Sequence, residues 1–328
     1  MSLLSVQNLV VEFPGRRGTL RALDGVSFDI APGEILGIVG ESGAGKSLTG
    51  ASIIGLLEPP GRIASGEIRL NGRRIDNLPH DDMRLIRGRH IGAIFQDPLT
   101  SLNPLYSIGQ QLIETITTHL PLNHAQARQR AIELLKDTGI SGAEERIDHF
   151  PHQFSGGMRQ RVVIALALAA DPQLVVADEP TTALDVSIQA QIISLLKRIC
   201  KERGAAVMLI THNMGVIAET CDRVAVMYAG RVAEIGPVHD VINQPSHPYT
   251  SGLMHCIPDM SQDRETLHQI DGSMPRLNAI PTGCAFNPRC PHAVEQCRQS
   301  RPELMAARAT QSACWFNDRT ATRSEVSA

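Results

Sequence analysis

Short apolar runs alternate with helical periodicities along the first 257 residues. The runs Glu34–Gly40, Gly66–Asn71, Ile91–Gln96, Leu174–Asp178, Ala206–Thr211 and Val224–Tyr228 predict strands. Ser47–Leu57, Val186–Arg203 and Met214–Thr220 predict helices following several of them. That alternation predicts an α/β layered domain with a mainly parallel central sheet. Between about Pro98 and Asp171 the pattern is helical throughout (Gln110–His119, Gln126–Thr138, Gly157–Ala169), an all-helical insertion between two core strands. After Ile257 the pattern breaks up. Pro258, Pro275, Pro281, Pro288, Pro291 and Pro302 interrupt it, so residues 258–328 read as a small, irregular C-terminal extension, separate from the domain at 1–257 and held by something other than a large core.

Composition narrows the class. A chain of 328 residues, 42% hydrophobic and 20% charged, buries a core without disulfide staples and is not wholly disordered. A net charge of −3 gives no general pull toward nucleic acid or anionic lipid. The first 13 residues lack the basic start and apolar stretch of a signal peptide. The longest unbroken apolar run, Val162–Ala170, is nine residues, against the roughly 20 needed to cross a bilayer. The expectation is a protein of a reducing compartment whose membrane role, if any, works through partners.

The strongest chemical signal is Gly40-Glu41-Ser42-Gly43-Ala44-Gly45-Lys46-Ser47, a phosphate-binding loop (P-loop) between a predicted strand and a predicted helix. Glycines there let backbone N–H groups curl around phosphate oxygens, and the helix N-terminus adds partial positive charge. Lys46 is placed to reach the outer phosphates and Ser47 to offer a hydroxyl to Mg²⁺. Only four of the 31 basic residues are lysine, and Lys46 is the sole one among the first 135 residues. A compact ammonium is used where a planar guanidinium would not fit between phosphates. Further on, Leu174–Asp178 followed by Glu179 reads as a buried strand delivering two carboxylates at its C-terminal end. Asp178 suits a Mg²⁺ shell, and Glu179 suits the polarising of an attacking water as general base.

Phe154-Ser155-Gly156-Gly157-Met158-Arg159-Gln160 supplies a second anion site: Ser155 is a good N-cap, and the glycines leave N–H groups open. Lying about 110 residues after the first, it suggests two chains meeting, each lending a helix N-terminus to the other's nucleotide. With these motifs in order, the chain resembles the nucleotide-binding subunits of ATP-binding cassette (ABC) transporters. The resemblance implies that Phe13 stacks on adenine and that Gln96 touches Mg²⁺ and senses the membrane partner. It also implies that Ser155, Gly156 and Gly157 cover the γ-phosphate across a dimer, that Ala183-Leu184-Asp185 forms the D-loop with Asp185 linking the two sites, and that His212 contacts the γ-phosphate. Phe154, Met158 and Asn213 depart from the usual leucine, glutamine and aspartate, and none of these departures removes a phosphate-contacting group.

Gln96-Asp97-Pro98-Leu99-Thr100-Ser101-Leu102-Asn103-Pro104, His247-Pro248-Tyr249-Thr250 and the run from Gly283 through Cys284, Cys290 and Cys297 narrow the resemblance. They resemble dipeptide and oligopeptide importer ATPases, a group that also includes nickel, heme-precursor and glutathione importers. This implies a paralogous ATPase as heterodimer partner, two membrane-spanning permease subunits and an extracytoplasmic substrate-binding protein. It places the chain peripherally on the cytoplasmic face of a bacterial inner membrane. Read alone, His247-Pro248-Tyr249 is only a helix-start signal. A rival reading, a soluble ABC ATPase of DNA repair or translation, usually joins two cassettes in one chain, whereas this chain carries a single P-loop.

The cysteines are unevenly spread. None of the seven precedes Cys200, and Cys284, Cys290, Cys297 and Cys314 fall in the last 45 residues. Four thiolates can hold Zn²⁺ or an iron–sulfur cluster, and unligated thiols are the third possibility. The loose spacing lacks the tight C-x2–4-C pairs of zinc ribbons. In importer ATPases with this pattern the resemblance implies a [4Fe–4S] cluster. Cys200, Cys221 and Cys256 read as small core residues.

Overall fold

The computed structural model describes residues 2–16, 18–181, 184–256 and 269–316. Strands β1 (Leu4–Gly15), β2 (Gly18–Ile30) and β3 (Ile35–Val39) lead to helix α1 (Lys46–Ile53). Then come β4 (Arg62–Leu70), β5 (Arg73–Arg74), α2 (His80–Ile86) and β6 (Ile91–Ile94). A helical layer follows: α3 (Pro98–Ser101), α4 (Ile108–His119), α5 (His124–Asp137), α6 (Ala143–Arg146) and α7 (Gly156–Ala167). The chain returns through β7 (Leu174–Asp178), α8 (Val186–Arg203), β8 (Ala206–Ile210), α9 (Met214–Thr220), β9 (Arg223–Tyr228) and β10 (Arg231–Pro237). It closes with α10 (Val238–Asn243), α11 (Pro248–His255), α12 (Glu295–Gln299), β11 (Met305–Ala307) and β12 (Thr310–Ser312).

The strands form two sheets. A four-stranded sheet runs β2-β1-β4-β5, and an eight-stranded sheet runs β11-β12-β10-β9-β3-β8-β7-β6. From β9 to β6 the large sheet is parallel, and from β10 outward it is antiparallel. Its central strands are buried along their length, as a parallel sheet covered on both faces requires. Alternate residues serve two cores. Ile35, Val39, Val175, Ala177, Val207 and Leu209 join the core under the helical layer. Leu36, Ile38, Leu174, Val176, Met208 and Ile210 join the core beneath the antiparallel sheet. The sheet is thus the middle layer, and its strand ends are fixed from both sides.

Among the described residues of the insertion there is no strand. Its helices begin where local chemistry allows. Ser107 with Gln110 starts α4, and Asn123 with Gln126 starts α5, each as a reciprocal capping box. The antiparallel sheet formed by β1 and β2 was not foreseen from the hydrophobic pattern. Register shifts near Val6, Leu9, Val10 and Val11 disrupt the period-2 alternation that would have announced it.

The extension differs from its sequence reading in how it is held. Strand β12 pairs with β10, matching Glu234 to Ser312 and Ile235 to Gln311, and β11 completes a hairpin at the sheet edge. Ala285 and Phe286 belong to the core under the helical layer, with Cys284 and Cys290 packed against it. The large sheet therefore runs on into the extension. Strand partners some 76 residues apart leave no local periodicity to read. The expected boundary at 257–258 lies outside the described residues.

Candidate functional site

The P-loop joins the end of β3 to α1. Gly40 has φ 154°, and a Cβ there would lie 2.3 Å from the Met227 carbonyl oxygen, so the loop must start on a glycine. Gly45, at φ 101°, is the N-cap of α1, where a Cβ would meet Leu23 Cδ2 at 2.6 Å. Lys46 follows and is buried. Its Nζ donates to the carbonyls of Gly40 at 2.9 Å and Glu41 at 3.0 Å. Burial pulls the ammonium below its usual range, with Glu179, Asp178 and Glu41 working against that.

Parallel pairing of β3, β8, β7 and β6 brings the remaining groups to one end of the sheet. Ser47 Oγ donates to Asp178 Oδ1 at 3.1 Å, across 131 residues. Gln96 Nε2 donates to Glu179 Oε2 at 3.3 Å, and His212 Nδ1 lies 3.2 Å from Glu179 Oε1. Burial pushes the Asp178 carboxyl up, the Ser47 hydrogen bond opposes this, Glu179 adds to the rise and Lys46 counters it. Glu179 sits at φ 45°, an uncommon backbone position for a non-glycine residue, immediately after β7. Two carboxylates against one lysine leave the site short of positive charge. The hydroxyl of Ser47, the carboxylate of Asp178 and the amide oxygen of Gln96 are hard oxygen donors of the kind Mg²⁺ takes. Phe13, Ser47 and Asp178 line a common cavity of about 310 Å³.

The second anion motif lies in the helical layer. Ser155 caps α7, its Oγ accepting from the Met158 N–H at 3.4 Å. Gly156 and Gly157 face Leu184 and Ile188 closely enough that a Cβ on Gly157 would lie 3.1 Å from Ile188. Asp185 is exposed at the start of α8. Ala183 of the expected D-loop, with Thr182, lies outside the described residues. The three departures from the usual motif keep local roles. Phe154 is buried, Met158 packs against the core, and Asn213 caps α9 by accepting from Gly215 and Val216.

Among the described residues, no group of three or more His, Cys, Asp and Glu side chains is arranged to hold a metal ion. The four late cysteines are nonetheless electrostatic neighbours. Burial raises the thiols of Cys284, Cys290 and Cys314, and their fellow cysteines raise them further. Backbone groups two residues on (Phe286, His292 and Phe316) work against that rise at the same three thiols. The net direction is upward for all three thiols, and with no metal-holding group among the described residues their geometry does not by itself carry a metal–sulfur site. Cys200 and Cys221 are different: burial drives both to about 12 with no other cysteine involved.

Two P-loop neighbours went unread in the sequence. The Glu41 N–H donates to Tyr249 Oη at 2.9 Å, and Arg289 Nη1 donates to Glu41 Oε2 at 3.0 Å. His247 caps α11 and Pro248 is its first residue, as the helix-start reading expected. The function of Tyr249 had no signal, since its partner lies 208 residues away.

Comparison with known proteins returns the same frame. Residues 23–182 match the family described as ABC transporter, and residues 233–297 match the oligopeptide/dipeptide transporter C-terminal region. The dipeptide transport ATP-binding protein DppD of Escherichia coli is 45% identical over 317 residues, covering 96% of this chain and 97% of the relative. The oligopeptide transport ATP-binding protein AppD of Bacillus subtilis is 46% identical over 305 residues, covering 93% of each. Among solved structures, the dimeric ATP-binding cassette MJ0796 bound to ADP and Pi superposes with a TM-score of 0.64 at 30% identity, over 72% of this chain and 98% of that one. The cassette cbiO1 from Clostridium perfringens does so with a TM-score of 0.63 at 31% identity, over 74% and 91%.

Proposed function

The chain belongs to the ATP-binding subunits of ABC transporters, in the oligopeptide/dipeptide group, and from that premise we propose that it hydrolyses ATP to power import of di- or oligopeptides. The observation that carries the reading is the convergence of Lys46, Ser47, Gln96, Asp178, Glu179 and His212 at one end of the parallel sheet. ATP lies with its phosphates in the Gly40–Ser47 loop and its adenine on Phe13. Lys46 is the cation offered to the outer phosphates. Ser47, Asp178 and Gln96 would hold Mg²⁺, which would supply charge neutralisation to the phosphates. Glu179 takes the proton of a water that attacks the γ-phosphorus, the bond to the β-phosphate oxygen breaks, and ADP and phosphate leave. Gln96 and His212 steer the Glu179 carboxylate, and His212 also faces the γ-phosphate.

One P-loop and one Ser155-Gly156-Gly157 motif per chain imply that the working unit has two ATPase subunits. The proposed arrangement is a head-to-tail heterodimer with a paralogue. Ser155, Gly156 and Gly157 then close on the partner's nucleotide, and Asp185 connects the two sites. No helix among the described residues is long and apolar enough to cross a membrane. Two permease subunits and an extracytoplasmic binding protein complete the importer, with this chain peripheral on the cytoplasmic face.

The extension supports a second part of the reading. On the cysteine spacing it shares with such importer ATPases, Cys284, Cys290, Cys297 and Cys314 are proposed to hold a [4Fe–4S] cluster, and the mutual electrostatic influence of these cysteines is consistent with that reading. Anaerobically purified protein should contain about four iron and four sulfide per chain. Stoichiometric Zn²⁺ without colour replaces the cluster by the alternative metal.

Transport is tested by uptake of a labelled dipeptide in cells lacking the chain. The wild type should restore uptake and Glu179→Gln should not. Restored nickel or glutathione uptake without peptide uptake would reassign the solute.

A further inference from the structure

The P-loop is held from outside the ATPase core. Glu41, its second residue, is gripped at both ends. Its backbone N–H donates to Tyr249 Oη, and its side chain accepts from Arg289 Nη1. Arg289 stands between Cys284 and Cys290 in the extension, and its side chain is 7% exposed. Every arm of that guanidinium is engaged. Nε donates to the Asp271 carbonyl at 2.8 Å, Nη2 to the Ile270 carbonyl at 3.2 Å, and Nη1 reaches Tyr228 Oη at 3.4 Å as well as Glu41. The guanidinium also lies 5.8 Å from the centroid of the Tyr228 ring and 5.9 Å from that of Phe286. Tyr228, Tyr249 and Phe286 pack mutually with ring centroids 4.6 to 5.4 Å apart. A planar cation locked by backbone carbonyls and two aromatic rings is a rigid strut, and its one flexible load is the carboxylate of a phosphate-binding loop.

We infer that Arg289 is a positioning residue for the P-loop: acting through Glu41, with Tyr249 as second holdfast, it sets the conformation in which residues 41–45 receive nucleotide. The cysteine-bearing turn thereby tunes ATP affinity without touching ATP. The inference rests on the nucleotide-site reading above. The physical argument is one of pre-organisation. The loop must present several N–H groups to phosphate together, and a restraint on Glu41 adds to the internal bonds of Lys46 and Ala44 in limiting the freedom its glycines allow. Glu41 also contributes to holding the Lys46 carbonyl partner in place, because Lys46 Nζ bonds to the Glu41 carbonyl.

The test uses the purified full chain and a fluorescent ATP analogue with Mg²⁺, together with amide hydrogen exchange of the nucleotide-free protein. Arg289→Gln should weaken analogue binding about tenfold and speed exchange across residues 41–45, while α7 stays unchanged. Tyr249→Phe should deprotect the Glu41 amide. Glu41→Gln should reproduce the loss, and the Arg289→Gln/Glu41→Gln double variant should lose no more than the larger single. In the reconstituted transporter the Arg289→Gln effect should appear in KM, with kcat within about twofold of wild type. Arg289→Lys, which keeps the charge, should recover part of the affinity and guards against a variant that fails to fold. Wild-type affinity and exchange in folded Arg289→Gln would overturn the inference, and so would single losses that multiply in the double variant. A wild type that binds no analogue would instead remove the nucleotide reading, and the exchange measurement would still judge the strut.

Discussion

The proposed nucleotide end of the sheet and the edge where the extension docks both gather polar groups from distant parts of the chain, yet they satisfy them differently. At the first, the bonds among Ser47, Asp178, Gln96, Glu179 and His212 run from 3.1 to 3.3 Å, and the His212 side chain is 62% exposed. At the second, Glu234 is wholly buried. It accepts from the N–H groups of Ser246 and His247 at 2.9 Å each and from the Thr310 hydroxyl at 3.0 Å. Lys46 apart, which is buried and bonded at 2.9 and 3.0 Å, a site proposed to receive phosphates and a metal ion keeps long, partly solvated bonds that a ligand can replace. A site that only holds two segments together closes its bonds and excludes water. The teaching is that loosely paired polar groups at strand ends mark chemistry, and tightly saturated ones mark architecture.

That contrast can be broken from either side. The largest effect belongs to Glu179→Gln, which should cut ATP turnover about a thousandfold while leaving ATP binding intact. Turnover and affinity measured on the same preparation check it, and normal hydrolysis would take Glu179 out of the base role. On the structural side, Glu234→Ala strands two buried backbone N–H donors, while the Thr310 hydroxyl can still turn to the Ala307 carbonyl, and should cost about 3 kcal/mol in denaturant unfolding, with nucleotide affinity less affected than stability.

A pH experiment sharpens the same point at His247. Burial lowers this imidazole from its ordinary 6.5 to about 4. Its Nδ1 accepts from the Tyr249 N–H, its other hydrogen-bond partner is the backbone of Ala313, and the ring packs against Phe286, so the neutral ring is the one that fits. A base with a depressed folded-state pKa contributes stability that is full above 6.5 and lost as the pH falls through about 4. Unfolding followed from pH 7.5 to 4 should therefore show a loss of about 3 kcal/mol that a His247→Gln variant lacks. The smallest effect is expected where the extension meets Asp24 at the surface. Arg301 donates to Asp24 Oδ2 at 3.0 Å but is 44% exposed, so Arg301→Ala should cost about 1 kcal/mol or less and move Tm by only a few degrees.

The P-loop, Asp178, Glu179 and the Ser155 cap were legible because each is a contiguous run whose residue types have local reasons: glycines for positive φ, an apolar strand before acids, a serine before a helix. Gln96 and His212 were legible only through their order relative to those runs, and the parallel register gives that order its spatial meaning. Of the antiparallel sheet only β4 is marked by the hydrophobic pattern, as the run Gly66–Asn71; irregular register blurs the alternation of β1. The contacts of Arg289 and Tyr249 with the P-loop were invisible because an arginine in a proline-rich stretch and a tyrosine at a helix start look the same whether or not a P-loop lies beside them.

By itself the sequence determined the layered α/β class, the helical insertion and the phosphate chemistry, because these follow from interactions spanning a few residues. Only the tertiary structure decided that the cysteine-bearing extension continues the core sheet through β12 and reaches the P-loop through Arg289. Contacts across 76 and 248 residues leave no periodic trace in the chain. They exist because burying Glu234, Tyr249 and Phe286 together is favourable only once the sheet edge is formed.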